Sequence, residues 1–72
     1  MSSEHTLELN RLIVGRDEAE YEAEGTISEY LTKRAALYAN RLGNGGKKIK
    51  EFDMVEDALS GGWVLMFYCE RY

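Results

Sequence analysis

The stretch Trp63-Val64-Leu65-Met66-Phe67-Tyr68-Cys69 is the most apolar run of the 72-residue chain. Its aromatic and β-branched residues and its short length predict a β-strand. Successive side chains of a strand point to opposite faces, so a sheet covered on one side only should alternate apolar with polar residues. This stretch is apolar at every position, and both of its faces therefore need a cover.

The segments just before this strand predict a neighbour for it. Ser60-Gly61-Gly62 marks a turn. The apolar side chains of residues 47–56 are Ile49, Phe52, Met54 and Val55. They alternate except for one break in parity, which a β-bulge explains. We predict a strand over residues 47–56, with a short helix over residues 53–59 as the alternative.

An amphipathic helix is the clearest element of the chain. The apolar residues that recur at spacings of three and four are Ile27, Tyr30, Leu31, Ala35, Tyr38 and Leu42. Thr26 or Ser28 can cap the N-terminus of this helix. Gly43 stands where a left-handed C-terminal cap is favoured, and Arg41 lies in the last turn, where the helix dipole favours a cation.

The first part of the chain predicts two more strands. Residues 6–14 are rich in Leu, Ile and Val, and Gly15-Arg16-Asp17 predicts a turn. Over residues 18–25, glutamate alternates with Ala19, Tyr21 and Ala23, which is typical of a strand. Alanine and glutamate favour helices by intrinsic propensity, so a helix over residues 17–25 stays open as the alternative.

These elements predict a single α+β domain over residues 1–72, in the order β-β-α-β-β, with residues 1–5 mobile. Two hairpins that flank one helix give a small antiparallel sheet with the helix packed on one face. A helix of about 15 residues is roughly 22 Å long and covers one side only. The N-terminal segment or a curled sheet could cover the other side. Otherwise a protein partner does, and Met66 and Tyr68 are of types enriched at interfaces.

The chain has too few cysteine and histidine residues for a disulfide or a structural metal site to stabilise so small a domain. Cys69 and His5 are the only residues of these types, which excludes an internal disulfide and a four-ligand structural zinc. Self-association or partner binding is then left to stabilise the domain, and we expect a homodimer. An acid lies where a secretory signal is basic, and no apolar run is long enough for a membrane span. We therefore expect a cytoplasmic protein with no membrane partner.

Charges are segregated along the chain. Residues 17–29 hold six acids and no base, residues 30–50 six bases and no acid, and residues 51–57 four acids and no base. The glutamates of the predicted second strand would form a ladder about 20 Å long, suited to a basic partner. Neutralisation of the blocks within the monomer is the alternative. The predicted partner-binding residues are Glu18, Glu20, Glu22, Glu24, Glu51, Asp53, Met66 and Tyr68.

A glycine-rich loop followed by lysines gives a competing prediction. Gly43-Asn44-Gly45-Gly46-Lys47-Lys48 resembles a phosphate-cradling loop, although it follows a helix and lacks the Ser or Thr of a P-loop. A helix cap followed by a turn, with no ligand, is the alternative for this loop. The predicted anion or ligand site consists of Lys47, Lys48 and Trp63, placed between two protomers. Direct nucleic-acid binding is disfavoured by an isoelectric point near 4.9.

The chain carries no recognisable catalytic constellation. His5 lies near the N-terminus, and Cys69 lies within an apolar strand, where we expect a small buried hydrophobe. We predict no enzymatic activity, no metal and no cofactor. The predicted function is non-catalytic binding of a protein with a basic surface, as a regulator or inhibitor. Phage and mobile-element proteins that block nucleic-acid enzymes are the analogy. A dimeric small-ligand or nucleotide-binding module is the alternative.

Overall fold

The structure is a computed structural model that describes residues 7–71 and the side chains of residues 7–70. Its elements in chain order are β1 (Glu8–Val14), α1 (Arg16–Glu22), α2 (Ile27–Asn44), β2 (Lys47–Glu56) and β3 (Trp63–Arg71). The predicted α+β class is confirmed, as are the long helix and three of the four predicted strands. The predicted order β-β-α-β-β is wrong at its second element, which is a helix.

The central strand of the sheet is β3. The sheet has three antiparallel strands in the order β1-β3-β2, and β1 pairs with β3 over its whole length. The pairing of β2 with β3 shifts between Ile49 and Glu51, which leaves Lys50 as an extra residue in β2. This bulge confirms the predicted break in parity. The alternative of a helix over residues 53–59 is wrong, because β2 continues to Glu56.

Helix α1 replaces the predicted strand over residues 18–25. Ala19 is fully buried while Tyr21 is 86% exposed, although the alternation placed both side chains on one face. Ala19 and the half-buried Ala23, which caps the C-terminus of α1, are four residues apart and therefore lie on one side of the helix. The strong helix propensity of alanine and glutamate outweighs an alternation that extends over only a few positions.

Helix α2 begins at a capping box, and Thr26 is the cap of the two predicted candidates, Thr26 and Ser28. Thr26 Oγ1 accepts a hydrogen bond from the Glu29 N–H, and Glu29 Oε1 accepts one from the Thr26 N–H, both at 3.1 Å. The C-terminal cap predicted at Gly43 is wrong, because the helix continues through Asn44. The left-handed residue is Gly46, with φ of 85°, and it leads directly into β2.

The hydrophobic core lies on one face of the sheet, between the strands and the two helices. The buried residues are Val14, Ala19, Leu31, Leu42, Leu65, Phe67 and Cys69. The Tyr38 ring of α2 packs edge-on against the Phe67 ring of β3, with 5.1 Å between the ring centroids. Full burial of Cys69 confirms its predicted role as a small hydrophobe.

Candidate functional site

The face of the sheet that points away from the core is called the open face here. Its centre is formed by Val64, Met66 and Tyr68 of β3, each of which is half-buried. The next positions along the same strand, Leu65 and Phe67, point to the core and are buried. β3 is therefore apolar on both faces, as the sequence indicates, but the helices cover only one of them.

Cross-strand pairing arranges the open face in three rows of three residues, and the pair of Lys48 and Glu70 borders these rows at one end. The rows, read from β1 through β3 to β2, are Leu9–Tyr68–Glu51, Arg11–Met66–Asp53 and Ile13–Val64–Val55. The last row is wholly apolar, and the middle row has a base at one end and an acid at the other. The surface is thus an apolar strip with an arginine on the β1 side and two carboxylates on the β2 side.

None of the nine side chains of the open face is buried by the part of the chain that the structure describes. Ile13 is 71% exposed, and Leu9 and Val55 are each a little over 40% exposed. A curled sheet that encloses its own second face is therefore not the arrangement of residues 7–71. The predicted cover by the N-terminal segment falls on residues 1–6, which lie outside the described residues.

Four of the eight predicted partner-binding residues come together on the open face. Asp53 is paired with Met66, and Glu51 is paired with Tyr68, across the β2–β3 register. These two pairs put two carboxylates directly beside two large apolar side chains. Acidic and apolar parts of the predicted interface are therefore continuous here.

The other four predicted residues, Glu18, Glu20, Glu22 and Glu24, do not join them. The first three lie on α1 and the last lies between the helices, so the predicted straight ladder of glutamates is wrong. Side chains two residues apart point in different directions on a helix, whereas on a strand they point to the same face. Glu20 forms an ion pair with Arg16 at 3.6 Å, and Glu22 and Glu24 are exposed.

Glu18 connects the two helices through its carboxylate. Its Oε2 accepts a hydrogen bond from the Tyr30 hydroxyl at 2.8 Å and also forms an ion pair with Arg34. Both partners belong to α2, and the guanidinium of Arg34 lies 5.7 Å from the centroid of the Tyr30 ring. This cluster joins α1 to α2, and the Glu18 carboxylate is already engaged within the chain.

Glu18→Ala is expected to lower the free energy of unfolding by about 1 kcal/mol, because the tie between the helices is lost. The magnitude is modest since the side chains of Glu18 and Arg34 are 39% and 28% exposed. Urea denaturation followed by circular dichroism measures the effect. Glu22→Ala, an exposed position on the same helix, is the matched control and should change stability by less than about 0.5 kcal/mol. Equal effects of the two variants would contradict the structural role of Glu18.

The three residues of the predicted ligand site do not meet within one chain. Lys47 Nζ contacts Glu8 Oε2 at 3.0 Å and Asn10 Oδ1 at 2.8 Å, and its side chain is only 16% exposed. Trp63 lies at the other end of β3, roughly 27 Å away along the strand, where Arg16 stacks over its ring at 5.0 Å. Lys48 is exposed and pairs with β3 near the Lys47 end.

A second apolar surface lies beside the core, where α2 leaves part of β2 uncovered. A shallow groove there is lined by Ala35, Ala36, Ala39, Ile49, Phe52 and Phe67. The Phe52 ring is 49% exposed and contacts Phe67 at 4.9 Å between centroids. No charged side chain lines this groove, so its lining gives no electrostatic preference for a partner.

Five residues of the open face were not among the predicted binding residues: Leu9, Arg11, Ile13, Val55 and Val64. The shared parity of Leu9 and Ile13 was a usable signal that they lie on one face of a strand. Their position beside Met66 and Tyr68 depends on the strand order, which parity does not give. Arg11 in particular lies 42 positions from Asp53 in the chain but occupies the same row.

Residues 7–71 contain neither a cluster of metal-ligand side chains nor a membrane-spanning helix. This part of the chain contains no group of three Asp, Glu, His or Cys side chains placed to hold a metal ion. His5 lies outside it. Neither described helix is both long and apolar enough to cross a membrane.

Comparison with known proteins gives no match to a family model, a curated protein or a solved structure. Function is therefore inferred from the surfaces of this chain alone. The open face combines exposed apolar side chains with charged ones.

Proposed function

We propose that this protein is a non-catalytic protein-binding regulator and that the open face is its contact surface. The observation that carries the proposal is the line of Val64, Met66 and Tyr68 along the central strand. These side chains are apolar or amphipathic, contiguous and only half-buried. At roughly 25 cal/mol per Å² of apolar surface, covering them and their neighbours contributes several kcal/mol, which is comparable to the stability of a small domain.

The shape of the open face favours a protein over a small molecule. Small ligands bind in concave sites that enclose most of their surface. The open face is one side of a three-stranded sheet, and the depression beside Glu51, Asp53 and Tyr68 is wide open to solvent. A broad partner surface can cover all three rows at once, whereas a small ligand would leave most of them exposed.

The chemistry of the face supports a partner with a basic group. Glu51 and Asp53 border the apolar strip on the β2 side, and opposite charges across an interface steer association and fix register. Tyr68 and Met66 beside them are side chains that interface cores favour. Imitation of a nucleic acid needs a long row of acids, and Glu18, Glu20 and Glu22 lie on α1 instead. Two carboxylates suit a local basic group better than a whole nucleic-acid-binding channel.

A photo-crosslinking amino acid in place of Met66 tests the proposal in cells that make the protein naturally. We expect a covalent protein adduct on illumination, because the partner covers this position. The control is the same substitution at Leu59, which is 99% exposed in the connection between β2 and β3 and lies outside the open face. Absence of an adduct at position 66, or equal adducts at both positions, would contradict the proposal.

A further inference from the structure

The open face carries both signs of charge on opposite borders. Arg11 lies on the β1 side, and Glu51 and Asp53 lie on the β2 side, with the apolar β3 side chains between them. We infer that a second copy of this chain covers the open face, in a dimer whose two-fold axis runs parallel to β3. This inference rests on one part of the proposed function, that the open face is a protein contact surface, and names the protein that binds there. Arg11 is then the basic group that the acidic border selects.

A two-fold axis along β3 places the β1 strand of each copy over the β2 strand of the other. Arg11 then faces Asp53 of the partner subunit, and symmetry forms this ion pair twice. In the apolar row, Ile13 lies over Val55 of the partner subunit. Met66 meets its own counterpart on the axis. Glu70 does the same at the end of the face, where Lys48 of each copy lies beside it. Sheets packed face to face lie about 10 Å apart with strand directions within about 30°, so long side chains such as Arg11 can bridge the two layers.

The perpendicular axis, across the strands and in the plane between the sheets, gives the opposite electrostatic result. It places β1 over β1 and β2 over β2, so that Arg11 faces an arginine and Asp53 faces an aspartate. Like charges in an interface are costly, because each loses water without gaining a partner. The distribution of charge on the open face therefore favours the axis parallel to β3 among the two symmetric arrangements.

Pairing of two β2 edges, another symmetric route to a dimer, is disfavoured by the strand itself. The extra residue Lys50 changes which side chains share a face, so two β2 strands cannot match faces along their full length. Lysine side chains and bulges on an edge strand are the features by which proteins prevent such pairing. Lys48 and Lys50 are exposed here.

The size of the open face indicates a weak dimer. Three strands and three rows measure roughly 15 Å by 20 Å, which is about 300 Å² per copy and about 600 Å² in total. That area is below the roughly 1,000 Å² of a stable, specific interface. We expect a monomer–dimer equilibrium that depends on protein concentration. The dimer should dissociate more readily at high salt, because its two ion pairs are exposed to solvent.

Charge reversal at two positions tests the axis. Arg11→Asp and Asp53→Arg each turn both ion pairs into repulsions, and each should weaken dimerisation at least roughly tenfold. The double variant Arg11→Asp/Asp53→Arg restores both pairs and should return to within about threefold of the wild-type dissociation constant. An equimolar mixture of the two single variants should also form a mixed dimer. Sedimentation velocity over a range of concentrations measures all four, and circular dichroism checks that each variant is folded.

Two results would overturn the inference. The first is a wild-type chain that stays monomeric at the highest concentration measured. The second is a dimer that neither single variant weakens. A dimer with the perpendicular axis would give this result, because each single variant there replaces one pair of facing like charges with another such pair.

The crosslinker at Met66 separates this inference from the proposed function. An adduct of twice the chain's mass that contains this chain alone supports the dimer. An adduct with a different protein, together with a monomeric wild-type chain, overturns the dimer and leaves the proposed function standing. No adduct, together with a monomeric chain, overturns both.

Discussion

Leu65→Ala is expected to lower the free energy of unfolding by about 3–5 kcal/mol. Leu65 is fully buried at the centre of β3, between the other two strands and the layer of helices. Removing its branched side chain costs the transfer free energy of the lost atoms and leaves a cavity that the closely packed surroundings cannot fill. A domain of this length has a total stability of only about 4–11 kcal/mol, so the variant should be partly unfolded at 37 °C.

Met66→Ala is the matched control for this substitution. Met66 is the next residue along the same strand and points to the open face, where it is half-buried. In the monomer its truncation should cost about 1 kcal/mol or less, because a large part of the side chain is already in water. Urea denaturation at low protein concentration, where the chain is monomeric, compares the two variants. Similar losses at both positions would mean that both faces of β3 are covered within one chain.

Ala19→Glu is expected to have the second large effect, a loss of at least about 3 kcal/mol. The methyl group of Ala19 is fully buried where α1 meets the core. A glutamate there must either bury its carboxylate without a partner or push α1 away from the sheet. Loss of the tie between Glu18 and α2 would follow in the second case. Thermal unfolding and the near-ultraviolet circular dichroism of the aromatic side chains measure the change.

Tyr21→Glu separates the helix from the strand that the alternation of residues 18–25 predicts. In a strand, positions 19 and 21 share a face, so the two glutamate variants would be similarly damaging. In α1, Tyr21 is 86% exposed and the same substitution should cost less than about 1 kcal/mol. Glutamate suits both variants because its helix propensity is high, and the comparison therefore reports on burial. A severe loss at position 21 would contradict the position of α1.

Some residues of the candidate site could be predicted from the sequence, and others could not. Met66 and Tyr68 could be assigned to an uncovered face, because the strict alternation of a strand fixes which residues share a side. Glu51 and Asp53 were identified by the charge block alone, and the register of β2 against β3 places them beside those residues. The glutamates of residues 18–24 were assigned to the same surface only through the wrong element type.

Sequence by itself determined the elements with a long or unambiguous period. The stripe of α2 and the two-sided apolar strand β3 follow from side-chain spacing, which the backbone geometry dictates locally. The cap of α2 was narrowed to Thr26 or Ser28, and residues 47–56 were predicted as a strand with a helix over residues 53–59 as the alternative. The need to cover a second face of β3 follows from the same pattern, because a helix has one apolar side and a fixed length.

Tertiary structure alone decided α1 and the composition of the open face. A short run of alanine and glutamate fits either a helix or a strand. The helix is stabilised by the burial of Ala19 and by the contacts of Glu18 with Tyr30 and Arg34. The strand order β1-β3-β2 brings Arg11 and Asp53 to opposite ends of one row. Local spacing carries no information about this order, because it depends on contacts between segments far apart in the chain. The charge pattern of the open face therefore exists only in the folded sheet.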